Sequence, residues 1–304
     1  MSEPGELSVE APEGPLLSAA LQARLRALEV QIRRPLPSNM RGDRRAPQKK
    51  GISLEFADFR SYVPGDDVRH LDWSSYARQD QLIVKLYHDE EDVQLHLVLD
   101  DSHSMHFGKP LKARFARQVA AALAWIGLAH SQRVSLTVLG SKLSVSPLRG
   151  GAANMTRILE HLMQPPATGS APLHESCKEF FTRQRPRGAV VLISDLLDPE
   201  GVEATLRSLQ TRSTELTVIQ ILAPEEIDPE LEGDLRFLDS ENGSKVEVHL
   251  TPVLLQAYRQ RVKKFIGHCG EAARKHGAAF AFSSSGDEVS EFLLRSLVQQ
   301  GVLR

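Results

Sequence analysis

The sequence predicts an α/β fold built on a doubly wound, mostly parallel sheet with one antiparallel edge strand. Three observations support this. From Val93 onward, short apolar runs alternate with longer stretches whose apolar residues recur at three- and four-residue steps, the signature of βαβ units. The run from Gly188 to Asp195 is apolar on both faces, as a central parallel strand requires. The 304 residues are 41% apolar and 25% charged, with 20 Gly and 17 Pro, which excludes collagen-like, wholly disordered and disulfide-scaffold chains.

Taken in order, residues 1–14 are rich in Glu, Pro and Gly and form a disordered lead. Leu16, Leu17, Ala20, Leu21, Leu25, Leu28 and Ile32 then mark one helix face that ends before Pro35 and Pro37. Residues 15–92 form an N-terminal region packed on the core, and residues 93–304 are the α/β domain. Its first strand is 93–100, followed by a long helix with Leu111, Phe115, Val119, Leu123 and Ile126 on its buried stripe. Runs 134–139 and 142–148 flank Gly140-Ser141 and read as a hairpin, the antiparallel edge. Helices at 153–163 and 173–184 lead to the central strand, and a helix at 200–211 leads to the buried strand 216–222. The following segment, 224–234, has six acids and is expected to be exposed. An inserted β-hairpin is expected at 235–250 around Asn242-Gly243. Thr251-Pro252 caps a helix that Gly277 stops, and a last strand, 278–284, precedes a last helix, 287–300.

Charge narrows the function. Lys and Arg number 37 against 39 Asp and Glu, a net charge of −2, so no bulk field favours nucleic acid or an anionic membrane. The basic run at 41–50 lacks interleaved aromatics and reads as a solvated loop, and the acids at 89–92 as an acidic rim. Cys177 and Cys269 are the only cysteines and show no metal-ligand spacing, so a reducing, cytoplasmic setting is expected. No apolar run suits a leader or a membrane span.

In open parallel sheets, ligands bind beyond the carboxyl ends of the strands. Two strands here end in Asp. Asp100, Ser102 and Ser104 stand at i, i+2 and i+4 on the loop leaving the first strand, and Asp195 ends the central one. Hard oxygen donors with few charges suit Mg²⁺ or Mn²⁺. The same residues also suit a bland role, since Asp and Ser in a loop cap the free N–H groups of the next turn. Asp195 can likewise cap the helix near Glu200.

The Asp100 to Ser104 run resembles the DxSxS metal-ion-dependent adhesion site of von Willebrand factor A domains. The stretch from Leu54 to Trp73, with Tyr76-Ala77-Arg78, resembles the signature of the bacterial DUF58 family. That resemblance spans about residues 40–285. It implies a von Willebrand A-like fold, metal contact by Asp100, Ser102, Ser104 and Asp195, and a MoxR-type AAA+ ATPase as partner. The family often supplies a Thr from a Gly-x-Thr loop. Here Gly169-Ser170-Ala171 puts Ala171 in that slot, leaving Thr168 or Ser170 as substitute ligands.

Within the signature, Arg60, Tyr62, Asp66, Asp67, Arg69, Asp72, Trp73 and Arg78 suit either an ion-pair network or a docking face for a partner. No nucleophile elbow, HExxH, Walker A or GxGxxG motif is present. His103 lies beside Ser102 and Ser104 but on positions that point apart, and His268-Cys269 reads as packing without a nearby acid. The expectation is a non-catalytic, adaptor-like interaction module. The rivals are a metal-dependent hydrolase using the same Asp and Ser residues, and a structural module with an empty metal site.

Overall fold

The computed structural model describes residues 14–26, 28, 30, 55–64, 71–88, 94–165, 171–198, 200–209, 214–230, 233–238 and 245–303. The chain divides into two compact units, one made of residues 1–34 with 93–304 and the other of residues 35–92.

In the larger unit six strands form one sheet. They are β3 (Gln94–Asp100), β4 (Arg133–Leu139), β5 (Ser144–Arg149), β6 (Gly188–Ser194), β7 (Thr214–Leu222) and β10 (Ala279–Ser284). Their spatial order is β10-β7-β6-β3-β4-β5, and only β5 runs antiparallel to its neighbour. This is the doubly wound, mostly parallel arrangement with one antiparallel edge strand expected from the sequence. The topological switch lies at β3, whose parallel neighbours are β4 and β6. Residues at that switch point, beyond the carboxyl ends of the strands, are where a ligand is received.

Both faces of the sheet are covered, and the strand period of two sorts the side chains between them. Leu95, Leu97 and Leu99 of β3 join one apolar cluster, with α1 (Ala19–Leu25), α3 (Lys112–Ala129), α4 (Ala152–Leu162) and α9 (Val289–Glu291) on that side. Val98 of the same strand joins the other cluster, with α5 (Leu173–Gln184), α6 (Val202–Leu209) and α8 (Pro252–Lys275). Small residues let α3 lie close to the sheet. At Gly127 a Cβ would come within 3.0 Å of Leu95 Cδ2.

Strand and helix positions follow the sequence reading closely, and α8 begins as expected, with Thr251 Oγ1 accepting the Leu254 N–H at 3.3 Å. Three corrections arise. The helix expected from Leu16 to Ile32 is only Ala19–Leu25, yet Leu16, Leu17, Leu28 and Val30 are buried beside it in bends and in a bridge from Val30 to Leu303. Apolar periodicity there reports burial against the core, while helical hydrogen bonding stops earlier. Residues 15–34 therefore group with the α/β unit, and the expected single region 15–92 is divided. The last helix leaves α geometry after Glu291 and continues as a π-helical turn, Phe292–Leu297.

The inserted hairpin is present as β8 (Gly233–Leu238) and β9 (Lys245–Leu250), paired antiparallel. A short helix, α7 (Pro224–Ile227), precedes it.

The smaller unit contains β1 (Glu55–Ser61), α2 (Trp73–Gln79) and β2 (Ile83–His88), with β1 and β2 antiparallel and a bulge between Phe56 and Asp58. Asp72 caps α2, accepting the Ser74 N–H at 3.1 Å and the hydroxyls of Ser74 and Ser75 at 2.7 and 2.9 Å. Among the described residues, no helix is long and apolar enough to cross a membrane.

Candidate functional site

β3 and β6 run side by side with Leu99 opposite Ile193, so Asp100 and Ser194 leave the sheet together. Asp100 is buried, and its Oδ1 accepts the Ser102 N–H at 3.0 Å. This bond turns the loop and brings the Ser102 and Ser104 hydroxyls within 3.1 Å of each other. The other oxygen, Oδ2, accepts the Ser194 hydroxyl at 2.6 Å. Among the described residues no cationic side chain forms an ion pair with Asp100. Burial and the nearby Asp195 charge, in that order, push its carboxyl up to about 7. The neighbouring acid, Asp101, faces elsewhere and pairs with Arg117 at 3.1 Å.

Asp195 is placed by a sharp turn. Leu196 adopts a left-handed backbone with φ +62°, a conformation costing a bulky residue about 1–3 kcal/mol, and Leu196 is itself buried. The turn lets Asp195 Oδ1 accept the Leu197 N–H at 3.1 Å. Asp195 does not take the helix-capping role considered for it: Asp198 Oδ1 accepts the Glu200 N–H at 2.9 Å ahead of α6, and Asp198 Oδ2 accepts the His174 N–H in the first turn of α5 at 2.6 Å.

The partner of Asp195 is one that sequence reasoning missed. Lys112, the first residue of α3, is fully buried, and its ammonium donates to Asp195 Oδ2 at 2.8 Å and to Glu226 Oε1 at 2.6 Å. Burial opposes the charge on Lys112, but Asp195 and Glu226 outweigh it and hold the ammonium above its ordinary value. Glu226 also corrects the expectation that the acids of 224–234 are exposed. It turns inward from α7, where its Oε2 accepts the Ala223 N–H at 2.7 Å. The available signal was Lys112 itself, because a cation has the wrong sign for the first turn of a long helix and needs carboxylates nearby.

The donor set can be matched to a divalent ion. Asp100, Ser102 and Ser104 supply hard oxygen donors, and the buried Asp100 carboxyl, without a cationic partner among the described residues, fits a cation. Asp195 fits only an outer role, since the Lys112 ammonium already balances its charge, whereas the donors on Asp100 are neutral. The loop slot is occupied by Ala171, half-buried ahead of α5, and the substitutes Thr168 and Ser170 lie outside the described residues.

Of the signature residues, Asp66, Asp67 and Arg69 lie outside the described residues, as does the side chain of Arg60. Tyr62 donates its N–H to the Leu82 carbonyl at 2.9 Å, and Arg78 bonds the Ser74 carbonyl at 3.1 Å. Trp73 is 59% exposed and meets Tyr76 edge-on, with ring centroids 6.3 Å apart. His268, read as lacking a nearby acid, pairs with Glu203 of α6 at 3.1 Å. The buried Cys269 thiol is pushed up to about 12 by burial and is unreactive as a nucleophile.

The sequence pattern of the family described as "Protein of unknown function DUF58" matches residues 58–265. The chain belongs to the DUF58 family. The DxSxS loop, Lys112, Asp195 and Glu226 all lie between residues 58 and 265. The DUF58 chain is 30% identical over 263 residues to the uncharacterized proteins Rv1480 of Mycobacterium tuberculosis and Mb1516 of Mycobacterium bovis, covering 82% of each chain. Solved structures similar to it include two from Bacteroides species. One is an aerotolerance-related membrane protein from Bacteroides fragilis, at 14% identity and a TM-score of 0.45. The other is BatB from Bacteroides thetaiotaomicron, at 17% and 0.42. Each match covers 69% of this chain and 98% of the other. The fold of this DUF58 protein rests on its own strand order.

Proposed function

We propose that this DUF58 chain is a non-catalytic, adaptor-like interaction module in which Asp100, Ser102 and Ser104 hold a Mg²⁺ or Mn²⁺ ion, with Asp195 acting through water. The observation that carries the reading is Asp100. It is a buried carboxylate at the topological switch of the sheet, beside two converging hydroxyls and without a cationic partner among the described residues. A buried charge in that position calls for compensation. When bound, the ion supplies a positive centre that a carboxylate of a partner protein can ligate. Ser194 orients Asp100, and the Ser102 N–H fixes the loop, so the donors are held before any ion arrives.

The partner in this reading is a MoxR-type AAA+ ATPase in a chaperone-like assembly. The support is the resemblance of residues 54–78 to DUF58 proteins that accompany such ATPases, and the exposed Trp73 and Tyr76 are residue types favoured at interfaces. A cytoplasmic location is supported by two buried, unbridged thiols, Cys177 and Cys269. One observation favours a second reading, a structural module without an ion: Lys112 already compensates Asp195.

Calorimetric titration with Mg²⁺ and Mn²⁺ tests the first reading. Binding heat is expected for the wild type and not for Asp100→Ala, and flat traces for both would exclude the ion. Affinity capture from native lysate with and without EDTA tests the partner. An AAA+ ATPase recovered only without EDTA is the expected outcome, and its absence in both conditions removes the adaptor reading. Phosphatase or esterase turnover lost in Ser102→Ala would favour a hydrolase.

A further inference from the structure

We infer that Lys112 is a built-in counter-ion that withholds Asp195 from an incoming divalent cation and so sets the cation affinity of the site. The inference rests on the cation-site reading above and adds a residue that the DxSxS pattern does not contain.

The geometry is that of a constructed position. The Lys112 ammonium lies 2.8 Å from Asp195 Oδ2, and Asp195 Oδ1 takes the Leu197 N–H at 3.1 Å, so Asp195 already has a counter-ion where Asp100 has neutral donors. The groups around the lysine are themselves held in place. The loop before it is pinned by the Lys109 N–H on Glu225 Oε1 at 3.1 Å and by the Ser285 hydroxyl on the Pro110 carbonyl at 2.7 Å. Gly108 packs so closely on Ala223 that an added Cβ would clash with the Ala223 methyl group. Glu226 is held in turn by the Ala223 N–H on its carboxylate and by Tyr258, whose hydroxyl donates to the Glu226 carbonyl at 2.9 Å.

Charge accounting gives the consequence. With Lys112 in place, a divalent ion meets one inner carboxylate, Asp100, and two neutral hydroxyls, and keeps net positive charge toward a partner's acid. Without the ammonium, Asp195 becomes a second inner carboxylate. The ion is then held more tightly and attracts an external carboxylate less.

The test is calorimetric titration of Mn²⁺ and Mg²⁺ into the full-length wild type, Lys112→Met, Lys112→Met/Glu226→Gln and Lys112→Met/Asp195→Asn, with thermal melts with and without the ion. The Glu226→Gln double variant removes one of the two acids left unpaired and stands in if Lys112→Met does not fold. Lys112→Met, or that double variant, is expected to bind about 10-fold or more tightly than wild type, in line with the 10–100-fold effect of outer-shell groups on metal affinity. It should also gain more melting temperature from Mn²⁺. Adding Asp195→Asn should return the affinity to near wild type. Equal or weaker binding in the Lys112 variants, with a wild type that binds, overturns the inference and leaves the cation reading standing. A wild type without binding beside a Lys112 variant that binds supports the inference and ends the cation reading for the native protein. Absence of binding in every variant overturns both.

Discussion

Asp100 and Asp195 leave neighbouring parallel strands and are both almost fully buried, at 4% and 1% exposed, yet their surroundings are opposite. Asp195 has an ammonium at 2.8 Å and is part of a closed ion-pair cluster with Glu226. Among the described residues Asp100 has only hydroxyl and amide donors, and burial raises its carboxyl to about 7. Two residues of one type, brought together by one sheet, thus have different capacities. One is engaged in an ion pair, and the other has no counter-ion among the described residues. The difference is made by Lys112, which reaches one side of the site and not the other.

The contrast can be broken most forcefully at its origin. Lys112→Met leaves the buried Asp195 and the half-buried Glu226 without their cation, and the loss of one partner from such a cluster costs about 3–5 kcal/mol. Urea denaturation in the absence of divalent ions should show that loss, and an unchanged midpoint would mean the cluster is not a structural unit.

A second ionisable group on β3 tests whether burial alone can account for a shift as large as that of Asp100. His96 is buried, with its Nδ1 2.8 Å from the Ser135 hydroxyl, and burial lowers its pKa from 6.5 to about 4. The unfolded chain takes up this proton near pH 6.5 and the folded chain only near pH 4. The stabilising contribution is therefore complete above 6.5 and is lost as the pH falls toward 4. That window is worth about 3 kcal/mol. In His96→Gln the advantage of pH 7 over pH 4 in urea melts should shrink by about that amount, and an identical pH profile would refute it.

Ser194→Ala sharpens the Asp100 side. The hydroxyl donates to Asp100 and accepts the Leu196 N–H at 2.9 Å, so its removal strands two buried groups and should cost about 2 kcal/mol. A loss below about 0.5 kcal/mol would mean that the strand end relaxes freely.

The smallest effect discriminates best because its sign differs between the two acids. Without divalent ions at pH 8, Asp100→Asn should stabilise by about 1–2 kcal/mol by removing an uncompensated buried charge, and Asp195→Asn should destabilise by a similar amount by weakening the hold on Lys112. Matched thermal melts of the two variants decide it, and shifts of the same sign would erase the distinction.

Much of the fold was legible in local pattern. Strand and helix periods, the Gly140-Ser141 hairpin, the Thr251-Pro252 cap and the inserted hairpin all depend on residues within a few positions of one another. So does the loop turn at Asp100, where the carboxylate and the Ser102 N–H are two residues apart. What failed were inferences that treated composition as exposure. The acids of 224–234 read as solvated because charge runs usually are, yet Glu226 turns inward to an ammonium 114 residues earlier in the chain. The helix face from Leu16 onward read as longer than it is because burial against a core and helical hydrogen bonding leave the same apolar marks.

The sequence by itself determined the sheet, its order of elements and the presence of two acids at strand ends, because alternation and loop chemistry are short-range properties of the chain. Only the tertiary structure decided what those acids can do. Their ionisation depends on which charges share their buried volume, and Lys112, Asp195 and Glu226 meet there through the packing of α3 and α7 at the same end of the sheet.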